Sequence, residues 1–190
     1  MNTTIMASLL EAHARSLAQS WLEEVKKTDY MNTYRGLADG LVLQRGYNVY
    51  LMFQKWLKAG AEDKDIAVDF EAIGIQRYKE GFPLSEVMYA LYLTKKVFWQ
   101  FLITNEEVKK DFDLVRSAEA LSVFNNYFDL GNFFIVRGYL NELSIHLNET
   151  EVINKEELSK ILMKGGLSKE TEKKASDQLY SSGFKIGVMY

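Results

Sequence analysis

Cysteine is missing from all 190 residues. Disulfides, thiolate metal sites and cysteine nucleophiles are therefore excluded, and the composition fits a reducing compartment such as the cytoplasm. Proline occurs once, at Pro83, and Asp39-Gly40 is the only Asn-Gly or Asp-Gly pair. A many-stranded fold needs such turn residues often, so helices are expected to dominate. Charge of one sign is also scarce. A net charge of −3 and a pI near 5.5 leave no electrostatic footprint for nucleic acid or an anionic membrane. Long apolar runs are lacking too. The most apolar segment, Leu121 to Leu147, carries Asn125, Asn126, Asp129, Asn132, Arg137 and Glu142, too many polar groups for a lipid-facing span. The N-terminal MNTTIMASLLEAHARS has no basic region ahead of a continuous apolar run, which argues against a secretory signal. There is no phosphate loop, no Gly-x-Gly-x-x-Gly after a strand and no Gly-x-Ser-x-Gly elbow, so most enzyme classes lose support.

What is present is apolar, aromatic and helically spaced. With 47% hydrophobic residues the chain can bury one substantial core. The expected fold is an all-α single bundle of about five main helices with a long fifth helix. Residues 1–149 form the bundle, and 150–190 form a short helical C-terminal extension with Asn154 and Ser168 as N-caps, packed on the bundle or on a partner. Met6, Leu9, Leu10, His13, Leu17 and Trp21 recur at three and four residue steps from an N-cap at Thr3 or Thr4. Gly36, Gly40 and Gly46 each lower helix propensity, so an irregular entry is expected before a second helix over Tyr47–Ala59. Gly81 suits a helix C-terminus and Pro83 a first helical turn, which predicts one helix over Glu62–Glu80 and another over Pro83–Asn105 joined by a short turn. The latter is expected to bury Leu84, Val87, Met88, Leu91, Phe98, Trp99 and Leu102. A polar loop, Asn105 to Asp111, then leads to the long helix over Phe112–Asn148. Gly131 and Gly138, seven residues apart, share one of its faces, where another helix can approach closely.

Few residues offer chemistry. His13 lies on the apolar stripe of the first helix and is best read as a packed histidine, with haem ligation as the alternative for it or His146. Neither HARSL nor HLNET matches a phosphotransfer histidine environment, and Glu142 to His146 is one residue too long for a di-iron Glu-x-x-His motif. No metal site or cofactor is expected. Arg77 sits at the margin of a packed face, and its expected role is a structural ion pair, with Asp129 or alternatively Glu86. Among 11 Phe, 11 Tyr and 3 Trp, the positions proposed for a small-ligand pocket are His13, Tyr89, Tyr92, Trp99, Tyr127 and Phe134.

LLEAHARSLAQSWLEEV, then IGIQRYKEGFPLSEVMYAL followed by FWQFL, then FDLGNFFIVRGYLNEL together resemble the N-terminal domain of the RsbT co-antagonist RsbRD family, over about residues 5 to 148. Trp21, Arg77, the Gly81–Leu84 turn, Asp129, Arg137 and Tyr139 carry the likeness. The resemblance implies an all-helical, non-enzymatic sensory or regulatory domain of a bacterial stress-signalling pathway, usually placed ahead of a STAS domain. No STAS domain follows here, so a free-standing input domain that binds a protein partner is expected. A homodimer through the long helix, by its Gly131 and Gly138 face or by Phe133 and Phe134, is the expected assembly. Nucleic-acid binding and membrane insertion are not expected. The alternative from another class is a sensor holding a haem or other apolar cofactor between helices.

Overall fold

The computed structural model describes residues 2–62, 64–105 and 114–149. Helix α1 spans Asn2–Lys27, α2 Asn32–Arg35, α3 Asp39–Lys58, α4 Lys64–Lys79, α5 Leu84–Thr104 and α6 Leu114–Glu149. No strand occurs among the described residues. The expected loop segment 106–111 and the extension 150–190, with its caps, lie outside them.

Two pairings, α1 antiparallel to α3 and α4 parallel to α6, carry most of the packing, and α5 bridges them. This follows from hydrophobic period. Along α1, Met6, Leu10, Leu17 and Trp21 are buried on one stripe, whereas Leu9 and His13 are only half-buried at its margin. Helix α5 buries nine residues, among them Val87, Leu91, Val97, Phe98 and Leu102, as expected of the element in the middle. Its remaining face stays open, so Met88 and Trp99, expected to be buried, are exposed instead.

Two pairings depend on glycine. A Cβ on Gly74 would fall on the Ile135 carbonyl oxygen, and one on Gly138 would fall on the Glu71 carbonyl oxygen. Backbones of α4 and α6 therefore touch at two points, with the Phe70 ring laid over Gly131 between them on the same side. Gly131 and Gly138 do permit a close helix approach, but the approaching helix is α4 of the same chain. They are not available as a dimer contact, because their space is already taken. An ion pair between Arg137 and Glu71, and another of 3.0 Å between Lys79 and Glu142, flank this crossing.

A fourth glycine, Gly46, makes room for Trp21, whose ring would strike a Cβ there. The Trp21 indole donates to the Ala90 carbonyl at 3.0 Å, and Tyr50 donates to the Thr94 carbonyl at 3.1 Å, so α1 and α3 both hold α5 by its backbone. Helix α3 accordingly runs unbroken from Asp39 through Gly40 and Gly46, eight residues earlier than expected, because tertiary contact outweighs a propensity penalty of about 1 kcal/mol per glycine.

Gly74→Ala and Gly138→Ala are expected to destabilise the fold by roughly 1–3 kcal/mol through forced separation of backbones, despite alanine's better helix propensity. Gly40→Ala, with nothing within 4 Å of the added carbon, is expected to be neutral or to stabilise by up to ~1 kcal/mol. Urea unfolding of the three variants checks this contrast.

Candidate functional site

The turn between α4 and α5 is built by two backbone hydrogen bonds. Phe82 N–H donates to the Arg77 carbonyl and Gly81 N–H to the Tyr78 carbonyl, each at 2.9 Å. That six-to-one and five-to-two pattern needs a left-handed residue at Gly81, whose φ is +76°. Pro83 then stands as the cap residue of α5, one position before the helix proper. The turn points Phe82 into the bundle, and its carbonyl accepts a 2.7 Å hydrogen bond from the Tyr139 hydroxyl.

Above Phe82 lie two guanidinium groups. Arg45 from α3 is 4.8 Å from its ring centroid and Arg77 from α4 is 5.6 Å. Arg45 also lies 5.9 Å from the Tyr34 ring, which meets Phe82 edge-on at 4.7 Å. Both arginines share one carboxylate. Glu80 Oε2 accepts from Arg45 Nη2 at 2.8 Å and from Arg77 Nη1, while Oε1 accepts from the Gln76 amide at 2.9 Å. Partial burial pushes the Glu80 carboxyl up, but the hydrogen bond and charge of Arg77, with the charge of Arg45, outweigh it and hold the group below its ordinary value. Burial, and then the charge of Arg77, lower Arg45. Burial pushes the Tyr34 phenol up to about 12 against the pull of both arginines.

The expected Arg77–Asp129 pair is not formed. Arg77, only 9% exposed, is held by Glu80, three residues on and just past the end of α4, and Asp129 takes Lys95 of α5 at 2.8 Å. Glu86, the alternative partner, is occupied otherwise. Its carboxylate accepts from the backbone N–H groups of Thr33 (3.0 Å) and Tyr34 (3.3 Å) and from the Thr33 hydroxyl (3.0 Å), capping α2, whose own cap residue Met31 has no side-chain acceptor.

Beside the arginines is a cavity of about 170 Å³ to which all six helices contribute, through Trp21, Tyr34, Met52, Phe70, Leu91 and Ile135 among others. Arg45, Arg77, Asn48, Gln76 and Thr94 are polar residues of its lining. None of the six residues expected to form a pocket lines it. Tyr127 is buried in the aromatic core, stacked on Phe53 at 4.4 Å. His13 packs on the Phe101 ring at 4.9 Å, Phe134 lies under Arg137 at 4.7 Å, and Tyr89 stands between Tyr30 and Tyr92 on the surface side of α5. Neither His13 nor His146 reaches the cavity, and its volume suits a benzene-sized molecule rather than a macrocycle. Sequence reasoning missed Arg45. The signal was its place among Val42, Gly46 and Val49 on the inner stripe of α3, hidden because that helix was read from Tyr47.

A second feature is the outer face of α5. Met88 is 39% exposed, Tyr92 51%, Trp99 37% and Ile103 47%. Lys95, paired with Asp129 of α6, and Lys96, 2.6 Å from Glu24 of α1, flank this stripe. No three acidic or histidine side chains among the described residues are grouped to hold a metal ion.

The model of one family, described as the RsbT co-antagonist protein rsbRD N-terminal domain, matches residues 15–149. No curated protein and no solved structure matches the chain.

Because the folded-state Glu80 carboxyl is depressed, its contribution is complete above the ordinary value of 4.5 and is lost as pH falls through the lower folded value. Glu80→Gln, which leaves two arginines without a carboxylate, is expected to cost ~1–3 kcal/mol at neutral pH. The gap in Tm between the two proteins should narrow as the pH is lowered from 6 to about 3, on the same linkage. Thermal unfolding across that range checks both the size and the sign.

Proposed function

The chain belongs to the RsbT co-antagonist protein rsbRD N-terminal domain family, a family of signalling regulatory domains, and on that premise we propose that it is a non-enzymatic sensory input domain acting through protein–protein contact in a cytoplasmic stress-signalling pathway, as a homodimer. The observation that carries the assembly is the spacing on α5. Met88, Tyr92, Trp99 and Ile103 fall within an arc of about 60° at 100° per residue. Their positions are also symmetric about the midpoint of Lys95 and Lys96. An antiparallel pair of α5 helices across a two-fold axis therefore sets Met88 against Ile103 and Tyr92 against Trp99, the self-complementarity that an isologous interface requires. Both central lysines are already neutralised by Asp129 and Glu24 of their own chain, which offsets like-charge repulsion at the axis. Aromatic anchors between salt-bridged rims match the anatomy of protein interfaces.

No helix among the described residues is long and apolar enough to cross a membrane, and the small net charge offers no draw toward nucleic acid. A protein partner in the pathway would meet the surfaces left free by the dimer.

The cysteine-free chain makes the register directly testable. Mixing Tyr92→Cys with Trp99→Cys protein and adding a short thiol crosslinker is expected to join unlike chains in preference to like ones. Tyr92→Lys is expected to weaken self-association by about 2 kcal/mol, roughly thirtyfold, with helical content unchanged. A wild-type chain that sediments as a monomer at all concentrations, or a dimer indifferent to Tyr92→Lys, would sink the reading.

A further inference from the structure

The cavity ringed by all six helices has an apolar body and a polar end lined by two guanidinium groups. These two groups, Arg45 and Arg77, share the Glu80 carboxylate, while the second carboxylate nearby, Glu86, is held by the backbone N–H groups of Thr33 and Tyr34. Arg45 Nη1 is buried and has no hydrogen-bond acceptor among the described residues. With its Cζ 4.8 Å from the Phe82 ring centroid and its Nη2 held by Glu80, Arg45 keeps Nη1 as a donor for a carboxylate oxygen. Asn48 and Gln76, both solvent-exposed, add neutral donors and acceptors on the lining. Its apolar wall includes Trp21, Met52, Phe70, Ile73, Leu91 and Ile135.

We propose that this cavity binds a small amphipathic carboxylate, its apolar body among those six side chains and its carboxylate on Arg45 and Arg77. Three observations narrow the ligand class. About 170 Å³ is slightly more than the space that admits benzene, so a single ring or a short branched chain with its acid group is the size limit. The open donor position on Arg45 selects a monoanion, and the neighbouring Glu80 and Glu86 carboxylates repel a dianion such as a phosphate ester. The mostly apolar wall rejects a fully hydrated inorganic ion, which gains nothing there for the water it gives up. Since helices α1 to α6 all line the cavity, an occupant touches every element of the bundle, and α5 lines it with Val87, Ala90, Leu91 and Thr94. The site is independent of whether the chain dimerises.

Isothermal titration of the full chain with benzoate, benzamide, benzylamine and inorganic phosphate tests the proposal. Benzoate is expected to bind more tightly than the other three and to raise Tm. Arg45→Gln is expected to reduce benzoate affinity by about tenfold or more while leaving benzamide unchanged, as loss of a charge-assisted hydrogen bond requires. Ile73→Phe, which fills the cavity without altering charge, is expected to abolish both, and circular dichroism verifies that each variant is folded. Benzoate binding no tighter than benzamide overturns the proposal, as does benzoate binding undiminished in folded Arg45→Gln. Phosphate binding as tightly as benzoate overturns the assigned class, and no binding by any of the four overturns the site itself.

Discussion

Backbone contact between α4 and α6 is the constraint on which the remaining geometry rests. Gly74 against the Ile135 carbonyl and Gly138 against the Glu71 carbonyl admit no sliding, because a shift of one residue in either helix would bring a side chain into the gap. From this register the next contact follows. Tyr139, beside Gly138, reaches the Phe82 carbonyl and pins the turn between α4 and α5. The pinned turn sets Phe82 beneath Arg45 and Arg77, and Glu80 at the end of α4 closes the cluster. Small residues at a helix crossing thus determine, through one hydroxyl, where the Arg45 and Arg77 cations sit.

Those cations would be expensive in an apolar interior without compensation. Compensation is assembled from different elements: a shared carboxylate, the face of Phe82 and the edge of the Tyr34 environment. Glu86 shows the same economy with the opposite sign. It is buried without an arginine or lysine on it in the structure's described hydrogen bonds, and backbone N–H groups at the start of α2 hold it instead, where the helix dipole favours a negative charge. Both acidic residues tie the α4–α5 turn region to elements distant in sequence.

Helix α5 faces two environments. Val87, Ala90, Leu91 and Thr94 line the interior cavity, and the Ala90 and Thr94 carbonyls accept from Trp21 and Tyr50. Met88, Tyr92, Trp99 and Ile103 face outward. The same helix thus carries both a wall of the cavity and the open outer face.

Much of the architecture is legible in residue order alone, because its signals act over a few positions. Gly81 and Pro83 mark the α4–α5 turn within one residue, since a left-handed residue and a fixed φ are local demands. The inner stripe of α1 and the length of α6 follow from a 3.6-residue period. That Gly131 and Gly138 serve a close helix approach is likewise local. Which helix approaches is not. Arg45 and Glu80 are 35 positions apart, Lys95 and Asp129 34, and Arg137 and Glu71 66. Many charge pairings of equal chemical merit are compatible with the same helices, as Arg77 with Asp129 would have been. Residue order determined the helices other than α2 and the start of α3, the turn and the family. Only the tertiary structure decided the cavity, the partner of each buried charge and the open face of α5, because those depend on which surfaces meet when every helix competes for the same interior.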